Sequence, residues 1–427
     1  MQRGFYAVMA AQFFSSFADN ALFVVAIALL QLMGAAPEMN PLLQSCFALS
    51  YVLFAPVAGV FADSMPKGRA MFITNLVKIS GCVLMMMHIH PLFAYAFVGL
   101  GAAMYSPAKY GILTELLPSS QLVKANGWIE GLTIGSIVLG QGLGGFLISS
   151  GVQHSLASHG VAPMAMPYIW LTAMIIIYTI AALCNLRIPD TGARYEKTKL
   201  NIMALTRHFW LDNIKLCKDR LGQISLAVTT LFWGAGATLK VIVLAWGQQA
   251  LGLNLSQSTY LNVPVALGIA IGAVWAASKV KLEHSPRVIP IGIAMGAVVL
   301  LMPVLPEFLN GSNLILWGAV IILLTIIGIL AGFFVVPMNA LLQHRGHCIM
   351  AAGGSIAVQN FNENLSILLM TLAYAQAIKT GVSLNTAIIG FGISLVLIMF
   401  LIYKWHQARP VAPHALHHTD HVAEASS

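Results

Sequence analysis

Charged side chains are the scarcest class in this chain: Asp, Glu, Lys and Arg together make up 8% of its 427 residues, where soluble domains carry about a quarter. A chain so short of charge cannot clothe a water-facing surface, which excludes an ordinary soluble enzyme. Cysteine is sparse as well. Of the five, Cys46, Cys82 and Cys184 fall in apolar runs and Cys217 and Cys348 in polar connecting segments, so no pair suits a disulfide and all five read as structural. The tail HALHHTDH offers metal-ligand residue types without a closed spacing. It reads as a solvated, disordered tail, and no metal or other cofactor is expected. The HxxxxD pattern of membrane acyltransferases is also missing: five residues beyond His88, His90, His208, His344 and His347 stand Phe93, Tyr95, Asn213, Ile349 and Ala352. No Ser, His and Asp set at one depth replaces it, so the chain is not expected to be an enzyme.

What the chain does have is apolar length. Hydrophobic residues are 58% of it and the mean hydropathy is +0.82. Runs of about 20 apolar residues, cut at charge clusters and at Pro, Gly and Ser, each suffice to cross a bilayer. They place twelve helices at about 5 to 33, 42 to 62, 70 to 88, 92 to 117, 123 to 149, 165 to 187, 224 to 250, 258 to 279, 288 to 305, 312 to 341, 351 to 378 and 384 to 404. The fold class is an all-α membrane protein with twelve transmembrane helices. The first run is too long for a signal-peptide core and reads as an uncleaved helix.

Orientation follows from the basic residues. With both termini cytoplasmic, 18 of the 22 Lys and Arg residues fall in cytoplasmic segments; Lys379 falls outside, and Lys78, Lys109 and Lys240 lie within spans. That contrast obeys the positive-inside rule and supports an even helix count. The net charge of +8 therefore reports topology, and no nucleic-acid partner is inferred.

The organisation is two halves: 1–187 with six helices, a cytoplasmic linker 188–222, 223–405 with six more, and the tail 406–427. GAAMYSPAKYGILTELLP, ending the fourth helix, echoes GFFVVPMNALLQHRG, ending the tenth, with Pro107 opposite Pro337 and Lys109 opposite Asn339. Parallel six-helix repeats about an axis along the membrane normal are the architecture of major facilitator transporters. Between helices 2 and 3 the chain reads GVFADSMPKGR, which resembles the signature of that superfamily through Gly59, Asp63, Gly68 and Arg69, with two extra residues after the Asp. An Asp at a helix end among basic partners can latch one of two states, and the glycines permit close helix approach. The alternative is a solvated loop obeying charge rules.

Six strings in order then narrow the family: FADNALF, YSPAKYGIL, LVKANG, LFWGAGATLK, FFVVPMNALLQ and IAVQNFNEN. Together they resemble the bacterial lysophospholipid transporters, over about Ala10 to Trp405. The resemblance implies a flippase in the bacterial inner membrane that carries lysophosphatidylethanolamine and related lysolipids from the outer to the inner leaflet. It also implies coupling to a cytoplasmic-side acyltransferase/acyl-ACP synthetase that restores the second chain. Lys240 stands where relatives commonly have Arg, which keeps the charge and loses the bidentate fork.

The buried charges point the same way. Asp19, Glu130 and Glu363 lie inside spans, as do Lys78, Lys109 and Lys240. Six lipid-facing charges would cost roughly 15 to 20 kcal/mol, so they face inward or pair. Asp19 and Asn20 on helix 1 and Lys240 on helix 7 complement the ammonium and phosphate of an ethanolamine phosphate; a structural ion pair is the competing account of them. Lys109 either receives the phosphate on the inner side or snorkels to the interface. Lys78 and Glu130 read as a mutual pair. Of the polar run in helix 11, Gln359 and Glu363 are expected to line the path, while another face bonds a neighbouring helix.

An amphiphile also constrains the route. Pulling a sixteen-carbon tail into water costs on the order of 12 kcal/mol, so the head group is expected to slide through a polar centre while the tail stays in lipid. That requires a lateral opening. Gly127, Gly131, Gly135, Gly140, Gly144 and Gly145 of helix 5, or Gly268 and Gly272 of helix 8, supply small residues for a seam or equally for tight packing. A proton-coupled carrier of another small amphiphile or drug, with Asp19 or Glu363 as the proton site, fits the same fold, and a channel is the further alternative.

Overall fold

All regular structure among the described residues of this computed structural model is helical, in sixteen α-helices and two short 3-10 turns. The described residues are 3–117, 119–192, 202–308, 313–350 and 352–408. The expected disordered tail falls almost wholly outside them, as do Arg194, Lys197 and Lys199 of the linker.

The helices are α1 (Arg3–Leu32), α2 (Met39–Asp63), α3 (Lys67–Met86), α4 (Pro91–Leu116), α5 (Ser119–Leu147), α6 (Ser150–Ser158), α7 (Met166–Leu186), α8 (Ile202–Lys218) and α9 (Arg220–Ala250). They continue as α10 (Leu255–Tyr260), α11 (Asn262–Lys279), α12 (Ile289–Val299), α13 (Leu305–Phe308), α14 (Asn313–Ile349), α15 (Ala352–Lys379) and α16 (Leu384–Gln407). Each of the twelve expected spans coincides with one of these helices, or for the eighth with the pair α10 and α11. The break in that pair at Leu261 precedes Pro264, whose ring would clash with the carbonyl of Tyr260 in a continuous helix. The ninth span is shorter than expected, with α12 giving way to turns after Val299. The tenth is longer, because α14 carries its helix through Arg345 to Ile349.

Among the described residues, eight helices are long and apolar enough to cross a membrane by length and composition, or nine if the bent pair of α5 and α6 is one span. Among the rest, α15 carries the QNFNEN run, and polar groups that serve an interior lower the very signal by which a span is recognised.

Local chemistry sets the ends. His90 caps α4 by accepting from the backbone N–H of Leu92, with Pro91 in the first helical position. Asn254 and Gln257 form a reciprocal capping box at α10. Gly34 after α1 and Gly381 after α15 adopt φ of +65° and +79°, the left-handed conformation in which helices commonly terminate and which glycine enters without strain.

Two compact units form. The first comprises the described residues within Met1–Thr206, Ala237–Val263 and Ile367–Gly381; the second those within Arg207–Gly236, Pro264–Ser366 and Val382–Ser427. In the first unit α1 packs on α5, α7 and α4, while α3 packs on α4 and α7. In the second, α12 packs on α16 and α14. Burial grades the helices: 67% of the apolar window of α1 and 61% of that of α9 is buried, against 28% for α2 and α16. Of these α1 is the most enclosed, with every side chain from Ala21 to Ile27 buried, in keeping with a helix that is apolar on most of its circumference.

The glycines divide by use. In the second unit Gly268 and Gly272 of α11 face Gly328 and Gly332 of α14, so closely that a methyl on any of the four would collide with the backbone opposite. In the first, a methyl at Gly144 would meet Ala21 O at 2.8 Å, and Gly140 approaches Phe17 and Asn20. These residues make packed seams of the small-residue kind. Gly131 and Gly135 have open space where a Cβ would sit.

Candidate functional site

The polar centre of the first unit is built on α1. Asp19 uses both carboxylate oxygens: Oδ2 accepts from Lys78 Nζ of α3 at 2.7 Å, and Oδ1 accepts from Tyr178 Oη of α7 at 2.7 Å. Lys78 Nζ also donates to Ser15 Oγ at 3.0 Å, and Ser15 Oγ donates to Asn75 Oδ1 at 2.8 Å. Tyr105 and Tyr178 present ring faces to the ammonium at 5.3 and 5.7 Å, within cation–π range. The lysine side chain is 2% exposed and the aspartate 17%. Gly101 of α4 makes the room: a Cβ there would lie 2.7 Å from Lys78 Cγ.

Lys78 is paired with Asp19, 59 residues away on α1; its expected partner, Glu130, has a side chain that lies outside the described part. Helices 1 and 3 satisfy each other's charge, and a fully buried lysine demands such a counterion.

Lys240 of α9 has a different environment. Its Nζ donates to Asn20 Oδ1 at 3.4 Å and stands 3.9 Å from the centroid of the Phe23 ring. Asn20 is oriented by its own Nδ2, which donates to Ser16 O at 2.9 Å. Among the described residues no carboxylate lies within ion-pair distance of Lys240. A cation held inside a span by an amide oxygen and a ring face, both neutral, is equipped to receive an anion.

Lys109 of α4 is 9% exposed, with its ammonium 4.3 Å from the Tyr110 ring centroid. It is therefore turned into the protein and does not lie along the surface. Pro107 sits inside α4 and Pro337 inside α14, at the two positions the repeat aligns.

In the second unit the polar run of α15 separates into two faces. Gln359 Nε2 donates to Asn339 Oδ1 of α14 at 2.7 Å and to Glu363 Oε1 at 2.8 Å. Glu363 is 7% exposed. Asn362 points elsewhere, donating to Val358 O and, at 3.4 Å, to Asn213 Oδ1 of α8. The residue matching Lys109 in the repeat, Asn339, thus holds Gln359.

The segment between α2 and α3 has a centre that the Gly/Asp/Gly/Arg pattern passes over. Lys67, 3% exposed, is ion-paired with Asp63, lies 3.9 Å from Glu115 Oε1 of α4 and donates to Ala62 O at 3.1 Å. Glu115 Oε2 in turn accepts from Thr191 Oγ1 at 2.5 Å. Gly68 permits the close approach expected of it, since a Cβ would stand 2.9 Å from Asn185 O of α7. Gly59 does not, having open space at that position, and Arg69 is exposed.

Sequence reasoning missed Tyr178, Lys67 and Glu115. It also missed Arg345, whose guanidinium grips Asp219 with Nε at 3.0 Å and Nη2 at 2.6 Å. The one available hint for Arg345 is its register in the repeat, at the end of the string that ends helix 10.

The chain is similar to known proteins over nearly its whole length. The family model described as Major Facilitator Superfamily matches residues 8–371. A protein named lysophospholipid transporter LplT from Escherichia coli O7:K1 (strain IAI39 / ExPEC) is 40% identical over 406 residues, covering 95% of this chain and 96% of that one. Its namesake from Shigella boydii serotype 4 (strain Sb227) is also 40% identical over the same coverage. Among solved structures, a bacterial homologue of the iron transporter ferroportin in an outward-facing state superposes with a TM-score of 0.61 at 13% identity, covering 96% of this chain and all of that one. At that identity the likeness concerns the fold alone.

Proposed function

The chain belongs to the lysophospholipid transporter family of the major facilitator superfamily, and from that premise we propose that it carries lysophosphatidylethanolamine and related lysolipids from the outer to the inner leaflet of the bacterial inner membrane. It is a multi-pass membrane transporter and not an enzyme. On this reading both termini are cytoplasmic, 1–187 and 223–405 are the two six-helix repeats, and 188–222 joins them. The product is handed to an acyltransferase/acyl-ACP synthetase on the inner side.

The observation that carries the proposal is Lys240: a cation inside a span with an amide and an aromatic face beside it and no carboxylate among its described neighbours. A phosphodiester supplies the missing negative charge, with Asn20 beside it as a neutral hydrogen-bonding partner. Asp19 is assigned to the ammonium. Lys78 now occupies one of its oxygens, but a carboxylate has about four lone-pair sites, so an ethanolamine ammonium can bind alongside Lys78 or displace it. Lys109 is assigned a second phosphate contact on the inner side. Gln359 and Glu363 give a migrating head group a hydrogen-bonding pair in the second unit.

Gly59, Asp63, Gly68 and Arg69 are proposed to act with Lys67 as a conformational latch. The tail of the substrate stays in lipid during transfer, for the energetic reason given above. Packing of Gly140, Gly144, Gly268 and Gly272 against facing backbones argues that any lateral opening lies away from those seams. The test is a flipping assay in reconstituted vesicles with a head-group series and a labelled sugar as control. Equal transport of the sugar would defeat the assignment, and sensitivity to collapse of a proton gradient would favour a proton-coupled carrier.

A further inference from the structure

The connection between the two sequence halves holds a helix that the chain's apolar runs do not announce. α8 turns one side inward: Phe209 and Leu216 are buried, the ring of Phe209 lies 5.2 Å from that of Phe361 of α15, and Asn213 bonds Asn362. Its acid, Asp212, is on that side, 6% exposed and bonded by Lys215 at 2.9 Å. The opposite side carries Met203, Leu211 and Ile214, 79%, 47% and 45% exposed, with Trp210, 48% exposed, at its edge, where its ring also meets Phe361 at 5.6 Å. Interleaved with them are exposed Arg207, Lys215 and Lys218. At 100° per residue these seven fall within one arc of less than half the helix circumference.

We propose that α8 is a membrane-surface helix whose outer face docks on anionic phospholipids of the leaflet beside it. Large apolar side chains set among Lys and Arg, with no acid on the same face, are the composition of an interfacial helix. The position agrees. Asp219 alone separates Lys218, the last residue of α8, from Arg220, the first of the span α9, and Asp219 is fixed by accepting from the Gly222 N–H at 2.8 Å and by both Arg345 bonds. A helix about 25 Å long, anchored at the mouth of a span and packed along its inner side against α15, is held within reach of the bilayer surface. Arg207 and Lys218 then snorkel to lipid phosphates while Leu211 and Ile214 enter the acyl boundary. Each cation favours an anionic over a neutral surface by about fivefold.

The experiment uses the full chain with its five cysteines replaced by serine and a nitroxide attached at Ile214→Cys. The protein is reconstituted either in phosphatidylcholine vesicles or in vesicles that also contain phosphatidylglycerol. Accessibility to dissolved oxygen is compared with accessibility to a water-soluble nickel chelate. The expected result is oxygen exceeding the chelate in the anionic vesicles, a shift toward the chelate in the neutral ones, and loss of that lipid dependence in the variant Arg207→Glu, Lys218→Glu. Equal chelate access in both vesicles would overturn the proposal, and so would shielding from both reagents, which would mean a protein surface covers this face. The lipid comparison on the chain without charge reversal decides the matter even if the charge-reversed variant fails to fold.

Discussion

Lys78 Nζ lies 2.7 Å from Asp19 Oδ2, and Tyr178 closes the other carboxylate oxygen at the same distance. Each charge is the reason the other can be buried. Removing one partner leaves an uncompensated buried ion, which costs about 3–5 kcal/mol, whereas removing both costs less. Asp19→Asn and Lys78→Met should each lower the thermal midpoint of the detergent-solubilised protein by several degrees, and the double variant should recover much of that loss. Additive losses in the double variant would show the two side chains to be energetically independent.

The proposed latch centres on Lys67, which Asp63 and Glu115 flank. Asp63→Asn leaves Glu115 in place and should shift the equilibrium between inward- and outward-open states by about 1–3 kcal/mol, the usual size of such couplings. Lys67→Met, which removes the shared cation, should shift it further. The readout is the reactivity of a cysteine placed near Lys109; unchanged reactivity in both variants would reduce the segment to a charged loop.

The glycine seams make an opposed pair of predictions. Gly328→Val forces a side chain into the backbone of α11 and should destabilise by about 1–3 kcal/mol or more, as overpacking does. Gly135→Ala, with open space around it, should stay within about 0.5 kcal/mol. Thermal unfolding of the two variants side by side checks this, and equal behaviour would mean the α11–α14 contact is looser than described.

Sidedness is checked by labelling. A cysteine introduced at 34–41 or 150–163 should react with an impermeant thiol reagent from the periplasmic side, and one near Lys67 or Lys197 should not. The reverse pattern would invert the side assigned to every group named above.

How much of this was legible in the sequence depends on the range of the interaction. Spans are local: about 20 apolar residues are their own evidence, and the helices coincide with the runs even where Pro264 breaks one of them. Asp19, Asn20 and Lys240 were legible because charge and amide inside an apolar run are conspicuous. Pairing was not. That Lys78 meets Asp19 is set by the packing of α3 on α7 and α4, with Gly101 clearing space for the lysine stem, and no local pattern reports such packing. Lys67 and Arg345 were hidden for another reason. Both satisfy the positive-inside rule, which accounts for a basic residue without asking what it touches. α8 escaped notice because an amphipathic helix with cations on its outer face has the composition of a polar linker.

The central claim is that Lys240 takes the phosphate of a lysophospholipid and Asp19 the ammonium. Initial flipping rates of lysophosphatidylethanolamine, lysophosphatidylglycerol and lysophosphatidylcholine in proteoliposomes of Asp19→Asn, Lys240→Ala and Lys240→Arg test it most directly. Lys240→Ala should lower all three, because all carry the phosphate, and Lys240→Arg should keep most activity, since it keeps the charge and adds a bidentate phosphate fork. Asp19→Asn should impair lysophosphatidylethanolamine strongly and lysophosphatidylglycerol less, because the ammonium loses a charge-assisted hydrogen bond while glycerol hydroxyls bond either side chain. Unchanged rates in Lys240→Ala, or equal losses for every head group in Asp19→Asn with recovery on adding Lys78→Met, would contradict the account and leave Asp19 as the counterion of Lys78 alone.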